Sequence, residues 1–296
     1  MEKKTKNNLV IVDLGNRLVK VGHNISFENT LETYDAKEQG VDTGECTLVY
    51  GNKLYIIGSK KVSPNAEYVK TEKEFIPQVL YAIATTTDYD TTSLMLTLPV
   101  DQFDNREVFT RTFKGKTFKF IVNDKSRTLK IENVYCTKES QAGFFSLSLE
   151  DRKGLTGILD WGSYTVNVFL ASGGKEVQAF TINGFGVYDY YRKLAQHLSK
   201  KRKMTAKEVE IYLEILKQKY SKEVTEFTSN FINEFNNKLT SENNNISFHS
   251  LTMTGGGTLV LLEELKEVLP NVKAHENPLF ANNIGNKTIA ELKKLI

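Results

Sequence analysis

The phrase Val10-Ile11-Val12-Asp13-Leu14-Gly15-Asn16 has a counterpart 147 residues later, Gly157-Ile158-Leu159-Asp160-Trp161-Gly162-Ser163. In each copy an apolar, β-branched run ends in Asp, one free residue, Gly and a small polar residue. A second strand-like run follows each, Leu18 to Asn24 and Val166 to Ala171. Strand, tight turn with a carboxylate at its mouth, and returning strand make a hairpin suited to a phosphate tail. The turn glycine lets backbone N–H groups approach phosphate oxygens, and the Asp can hold a divalent ion or a water beside them. Two such hairpins in two halves of one chain predict a clamp closing on a nucleotide.

With 296 residues, two domains are the natural expectation. A net charge of +3 is too small to imply bulk nucleic-acid binding. The longest apolar runs are strand-sized, so no membrane span is expected. The basic, polar stretch Met1 to Asn8 lacks the apolar core of a signal peptide. Cys46 and Cys136, the only cysteines, are far apart and read as reduced thiols of a cytoplasmic protein. His23, His197, His249 and His275 show no metal-ligand spacing.

The first half reads as strand-rich, with strands over Leu9–Asp13, Leu18–Ile25, Cys46–Tyr50 and Lys53–Ile57. Ile76, Val79, Leu80 and Ile83 recur at helical spacing and predict a helix over Phe75–Thr86. A buried strand over Ser93–Pro99, a helix over Arg106–Phe113, a hairpin from Phe118–Val122 and Thr128–Val134, and a helix over Glu139–Ser148 complete it. In the second half, Glu176–Ile182 reads as a strand, the glycine turn Asn183-Gly184-Phe185-Gly186 opens a helix over Tyr188–His197, and Lys200–Lys203 is a basic run. Thr205 and Glu208 have the spacing of a capping box. Val224, Phe227, Phe231, Phe235 and Leu239 form one helical stripe. A strand over Phe248–Thr254, a triple glycine, a helix over Leu259–Val268 and a last helix over Asn282–Leu295 follow.

Four constellations can carry chemistry. In the first turn, Asp13, Gly15 and Asn16 with Lys20 on the returning strand offer amides, an amide side chain and an ammonium to phosphate; alone, they also describe a plain surface hairpin. In the second, Asp160, Gly162, Ser163, Tyr164 and Thr165 repeat the pattern with hydroxyls. In Thr254-Gly255-Gly256-Gly257-Thr258, three glycines between strand and helix allow close approach of a ligand to a helix N-terminus. Glu139, opening a predicted helix, is placed to orient a water or merely to complement the helix dipole.

These four, in this order, resemble the pattern of the actin-like ATPase superfamily. The first phosphate loop resembles Asp13 to Gly22, the connecting helix Glu139 to Gly143, the second phosphate loop Asp160 to Thr165, the adenosine loop Thr254 to Gly257, and the segment before the last helix Asn277 to Gly285. Within the superfamily the chain is most similar to bacterial plasmid-segregation actins of the ParM and AlfA types. The resemblance implies an α/β, actin-like (ribonuclease H-like) two-domain fold with a nucleotide cleft: domain I over 1–155, with the C-terminal helix 278–296 packing back on it, and domain II over 156–277. Between Gly186 and the triple glycine the chain is short, with helices and no convincing strands, so the outer subdomain of the second domain is expected to be reduced.

The resemblance further implies binding of ATP or GTP with Mg2+, filament formation by the protein with itself, and hydrolysis after assembly. Asp160 and Asp13 would face the metal through water, Glu139 would position the attacking water, and Gly15, Asn16, Lys20, Gly162, Ser163, Tyr164, Thr165, Gly184, Gly255, Gly256 and Gly257 would bind the nucleotide. A DNA-binding adaptor on a plasmid is the implied second partner, with neither direct nucleic-acid nor membrane contact. A small-molecule kinase or phosphatase shares both Asp-x-Gly loops but would need an acceptor motif, and a membrane-tethered scaffold would need an amphipathic terminal helix.

Overall fold

The computed structural model describes residues 8–37, 46–62, 67–199 and 203–296. They fall into two units, one of the residues up to Ser146 with Phe280–Ile296, the other Leu147–Leu279. In unit 1 the first Asp-x-Gly phrase is the hairpin β1 (Leu9–Leu14) and β2 (Leu18–Val21), followed by β3 (Ile25–Glu28), β4 (Leu31–Asp35), β5 (Thr47–Tyr50) and β6 (Lys53–Ile57). Then come α1 (Ile76–Ala84), β7 (Thr91–Leu98), α2 (Arg106–Phe113), β8 (Lys116–Val122), β9 (Lys125–Lys138) and the five-residue α3 (Gln141–Phe145). The strands form one nine-stranded sheet, ordered β3-β2-β1-β7-β9-β8-β5-β6-β4 and parallel only at β1–β7 and β7–β9. β1 and β7 are buried along nearly their whole lengths because both their faces are covered. β8 alternates, turning Phe118, Phe120 and Val122 into the core.

Unit 2 opens with the second phrase as β10 (Leu155–Trp161) and β11 (Thr165–Ser172), then β12 (Lys175–Asn183), α4 (Val187–Leu198), α5 (Ala206–Lys219), α6 (Ser221–Glu242), β13 (Ser250–Thr254), α7 (Thr258–Val268) and β14 (Val272–Ala274). Its sheet runs β12-β11-β10-β13-β14, again antiparallel around the hairpin and parallel at β10–β13 and β13–β14. This is the order and sense of β3-β2-β1-β7-β9 in unit 1, so the repeated phrase belongs to a repeated sheet. α8 (Ala281–Leu292) then joins unit 1, where Gly285 lies so close to α3 that a Cβ would meet the Ala142 carbonyl.

Among the described residues, no strand lies between β12 and β13, as expected for a reduced outer subdomain. α4, α5 and α6 instead share one core with the sheet, through Tyr190, Leu194, Val209, Leu216, Phe231 and Phe235. Thr205 and Glu208 do form a capping box at the start of α5. The basic run is described only at Lys203; residues 200–202 lie outside the described residues.

Two expectations are corrected, and one strand is added. The strand over Leu18–Ile25 is two strands, because Gly22 takes a φ of +58° and turns the chain. β4, an edge strand of mixed polarity, was not anticipated. The helix over Glu139–Ser148 is only α3, since Ser140 adopts φ +63° and ψ −42° and separates Glu139 from it. No helix among the described residues is long and apolar enough to cross a membrane.

Candidate functional site

Each unit gathers its own candidate residues. In unit 1, the antiparallel register sets Asp13 opposite Lys20, and the Lys20 ammonium donates to Asp13 Oδ2 at 2.7 Å. Lys20, expected to face phosphate, therefore meets a carboxylate first. Asp13 is 2% exposed. Burial pushes its carboxyl up, but the charges of Lys20 and Lys70 outweigh burial and hold it below the usual carboxylate range. Beyond Lys20, the side chain beside the Asp13 carboxyl is the Thr97 hydroxyl of β7, which also favours its ionised form. A buried, ionised carboxylate at a strand end suits a hydrated divalent cation or its water. No cluster of three or more His, Cys, Asp or Glu occurs among the described residues, so any cation would lean on single carboxylates and its own waters.

The first turn is braced from behind. Asn29 donates to the Gly15 carbonyl at 2.8 Å, and Gln78 of α1 donates to Asn29 at 3.3 Å. Gly15 is obligatory, because a Cβ would stand 2.6 Å from the Leu18 carbonyl oxygen. The Asn16 side chain accepts from Lys73 Nζ at 2.6 Å. Burial first, then the neighbouring Lys70 charge, push the Lys73 ammonium down to about 8.

Glu139 sits at the end of β9, buried, with Oε1 accepting from Lys70 Nζ at 2.5 Å. Unit 1 thus brings Asp13, Gly15, Asn16, Lys20 and Glu139 to one end of its sheet and adds Lys70 and Lys73. Sequence reading singled out neither lysine: Lys70-Thr71-Glu72-Lys73-Glu74 carries no motif that marks them. Asn282, on α8, was also missed as a contributor. Its Oδ1 accepts from the Ser140 and Gly143 amides at 3.2 and 3.1 Å and so fixes the turn that follows Glu139.

In unit 2, Asp160 is 7% exposed and pairs in register with Thr254, whose hydroxyl donates to Asp160 Oδ1 at 3.1 Å. The second turn closes by Gly162 N–H donating to the Thr165 carbonyl at 2.8 Å. Its carbonyls are then held by α4: the amides of Val187 and Tyr188 donate to Gly162 and Ser163 at 3.0 and 2.8 Å. Gly186 allows this approach, since a Cβ would meet the Ser163 carbonyl at 2.2 Å. Gly184 has no such neighbour; at φ +78° it turns the chain, and its carbonyl accepts from Lys193. Tyr164 is half-buried against Tyr188, ring centres 5.4 Å apart, and burial raises its hydroxyl.

The triple glycine touches the same place. A Cβ on Gly255, at φ +79°, would stand 2.5 Å from the Trp161 carbonyl and 2.8 Å from Asp160 Oδ1; one on Gly257 would strike the Trp161 ring. Gly256 faces open space. Close packing is therefore the reason for Gly255 and Gly257, while Gly256 has neither a close neighbour nor a positive φ. Unit 2 thereby groups Asp160, Gly162, Ser163, Tyr164, Thr165 and the triple glycine, with Gly184 beyond the α4 end of the turn.

No protein-family model matches the chain, nor does any curated protein sequence. Solved structures do. An archaeal actin homologue in complex with ADP matches with TM-score 0.75 and 18% identity over 96% of this chain and 99% of that one. A 15-stranded ParM filament from Clostridium botulinum matches with TM-score 0.72 and 19% identity over 97% and 99%, and an AlfA filament bound to AMPPNP with TM-score 0.65 and 18% identity over 97% and 98%. The fold is actin-like along nearly the whole chain.

Proposed function

We propose that this actin-fold chain is a nucleotide-dependent polymerising protein. It binds ATP or GTP with Mg2+, assembles with copies of itself into filaments and hydrolyses the nucleotide, and through a DNA-binding adaptor it moves plasmid DNA in the cytoplasm. One observation carries the reading: both copies of the repeated sheet end the same strand in a buried carboxylate followed by a glycine turn. The likeness to filaments called ParM and AlfA, one bound to AMPPNP, supports the assembly half of the proposal.

In this reading the turn amides at Gly15–Asn16 and Gly162–Thr165 bind phosphate oxygens, and Gly256 marks where the nucleoside approaches. Asp13 and Asp160 would hold Mg2+ through its waters, and the ion would supply charge neutralisation at the phosphates. Glu139 accepts a hydrogen bond from the attacking water and orients it, so that the rate comes from positioning and electrostatics. Phosphate release from ATP and GTP by the parent and by Asp160→Ala tests this. The variant should keep its circular dichroism and lose about a hundredfold or more in rate. An unchanged rate would remove Asp160 from the site.

A further inference from the structure

Lys70 is 4% exposed, yet it has no place in the reading above. It lies on a single 3-10 turn, Lys70–Glu72, between β6 and α1. Its ammonium donates to Glu139 Oε1 at 2.5 Å and to the Thr97 carbonyl at 3.3 Å, while its backbone amide donates to Gln102 Oε1 at 3.0 Å. Gln102 also donates to the Tyr68 carbonyl, and Tyr68 donates to Asp101, so the turn is pinned at Lys70 and just before it. The same ammonium acts on Asp13 across the sheet end. A buried lysine between two buried carboxylates is a poor route to stability, because apolar side chains of like volume do as well or better. Its retention in this geometry calls for another role.

We propose that Lys70 is a positioning residue for hydrolysis, holding Glu139 ionised and in one orientation. This rests on the nucleotidase reading. The charged and titratable groups that face Glu139 are Lys70 and Tyr68 from the turn segment and, through Lys70, Asp13 of β1. α8 presents neutral amides there, with Asn282 on the Ser140 amide and Asn286 on Thr137. Lys70 is thus a cation in direct contact with Glu139. Without it, burial favours the uncharged form of a carboxyl, which cannot accept a hydrogen bond from water at its protonated oxygen.

The test measures phosphate release against pH, and binding of a fluorescent nucleotide, for the parent, Lys70→Met, Lys70→Arg, Glu139→Gln and the double variant Lys70→Met/Glu139→Gln. Lys70→Met should bind nucleotide within about threefold of the parent, lose about tenfold or more in kcat at pH 7, and move the acid limb of its profile up by about one unit or more. Lys70→Arg should restore most of the rate. The double variant should be no slower than Glu139→Gln alone, since Lys70 acts through Glu139. It removes both charges, so it keeps the comparison open if Lys70→Met alone folds poorly. A parental kcat and acid limb in Lys70→Met, or losses that multiply in the double variant, would overturn the role of Lys70 while leaving the nucleotidase reading intact. A parent that releases no phosphate from ATP or GTP would instead remove that reading, and this role with it.

Discussion

At the scale of residues, the turn positions were legible because a turn needs particular side chains. Asp, Gly and a small polar residue after an apolar strand can be read from the chain, and the structure puts Asp13 and Asp160 at equivalent strand ends. What each glycine is for was not legible, because that depends on what lies opposite. Gly257→Ala should cost about 1–3 kcal/mol in denaturation by forcing a Cβ into Trp161. Gly256→Ala should melt like the parent, as its Cβ would meet open space, and weaken nucleotide binding; equal affinity would assign Gly256 to the turn alone. The chain has one tryptophan, wedged between Phe235 and the glycine turn. Its emission should therefore change on nucleotide binding, and a flat signal at saturation, with binding measured independently, would count against that turn as the nucleoside contact. The Cys136 thiol is pushed up to about 11 by burial. Thiolate stays scarce at pH 8, so alkylation should run about a hundredfold slower in the folded chain than in the unfolded one.

At the scale of elements, long periodic segments were readable and context-dependent ones were not. α2 was placed to the residue and α6 by its stripe, since one apolar face must be buried. α3 was overextended because the turn at Ser140 is held by α8, about half the chain away, through Asn282. Contacts remote in sequence also hid Lys70, buried on a turn held by Gln102, and Lys73, which reaches Asn16. Asn282→Ala leaves two buried amides without an acceptor and should cost about 1–3 kcal/mol. It should also slow hydrolysis by loosening Glu139, and a variant as stable and as active as the parent would show that α8 does not hold this turn. Phe235→Ala should cost about 3–5 kcal/mol, since the ring packs on both Trp161 and Phe185. Chemical denaturation measures both.

At the scale of the whole molecule, the repeated phrase foretold a repeated sheet, and the lack of strand-forming runs after Gly186 foretold the helical replacement of an outer subdomain. Assembly is a property of surfaces, which no turn motif encodes, so the proposed contacts between copies were not legible. On the proposed function, Glu139→Ala should still assemble but disassemble slowly, because there assembly needs bound nucleotide and turnover needs the oriented water. Filaments of the variant that vanish as fast as the parent's once nucleotide is exhausted would contradict this. The most direct test of the central claim is high-speed sedimentation of the purified chain without nucleotide, with Mg-ATP and with Mg-GTP. The account predicts that the chain pellets as filaments with at least one of the triphosphates and stays in the supernatant without nucleotide; a chain that stays in the supernatant under all three conditions, at nucleotide concentrations shown to saturate it, would contradict it.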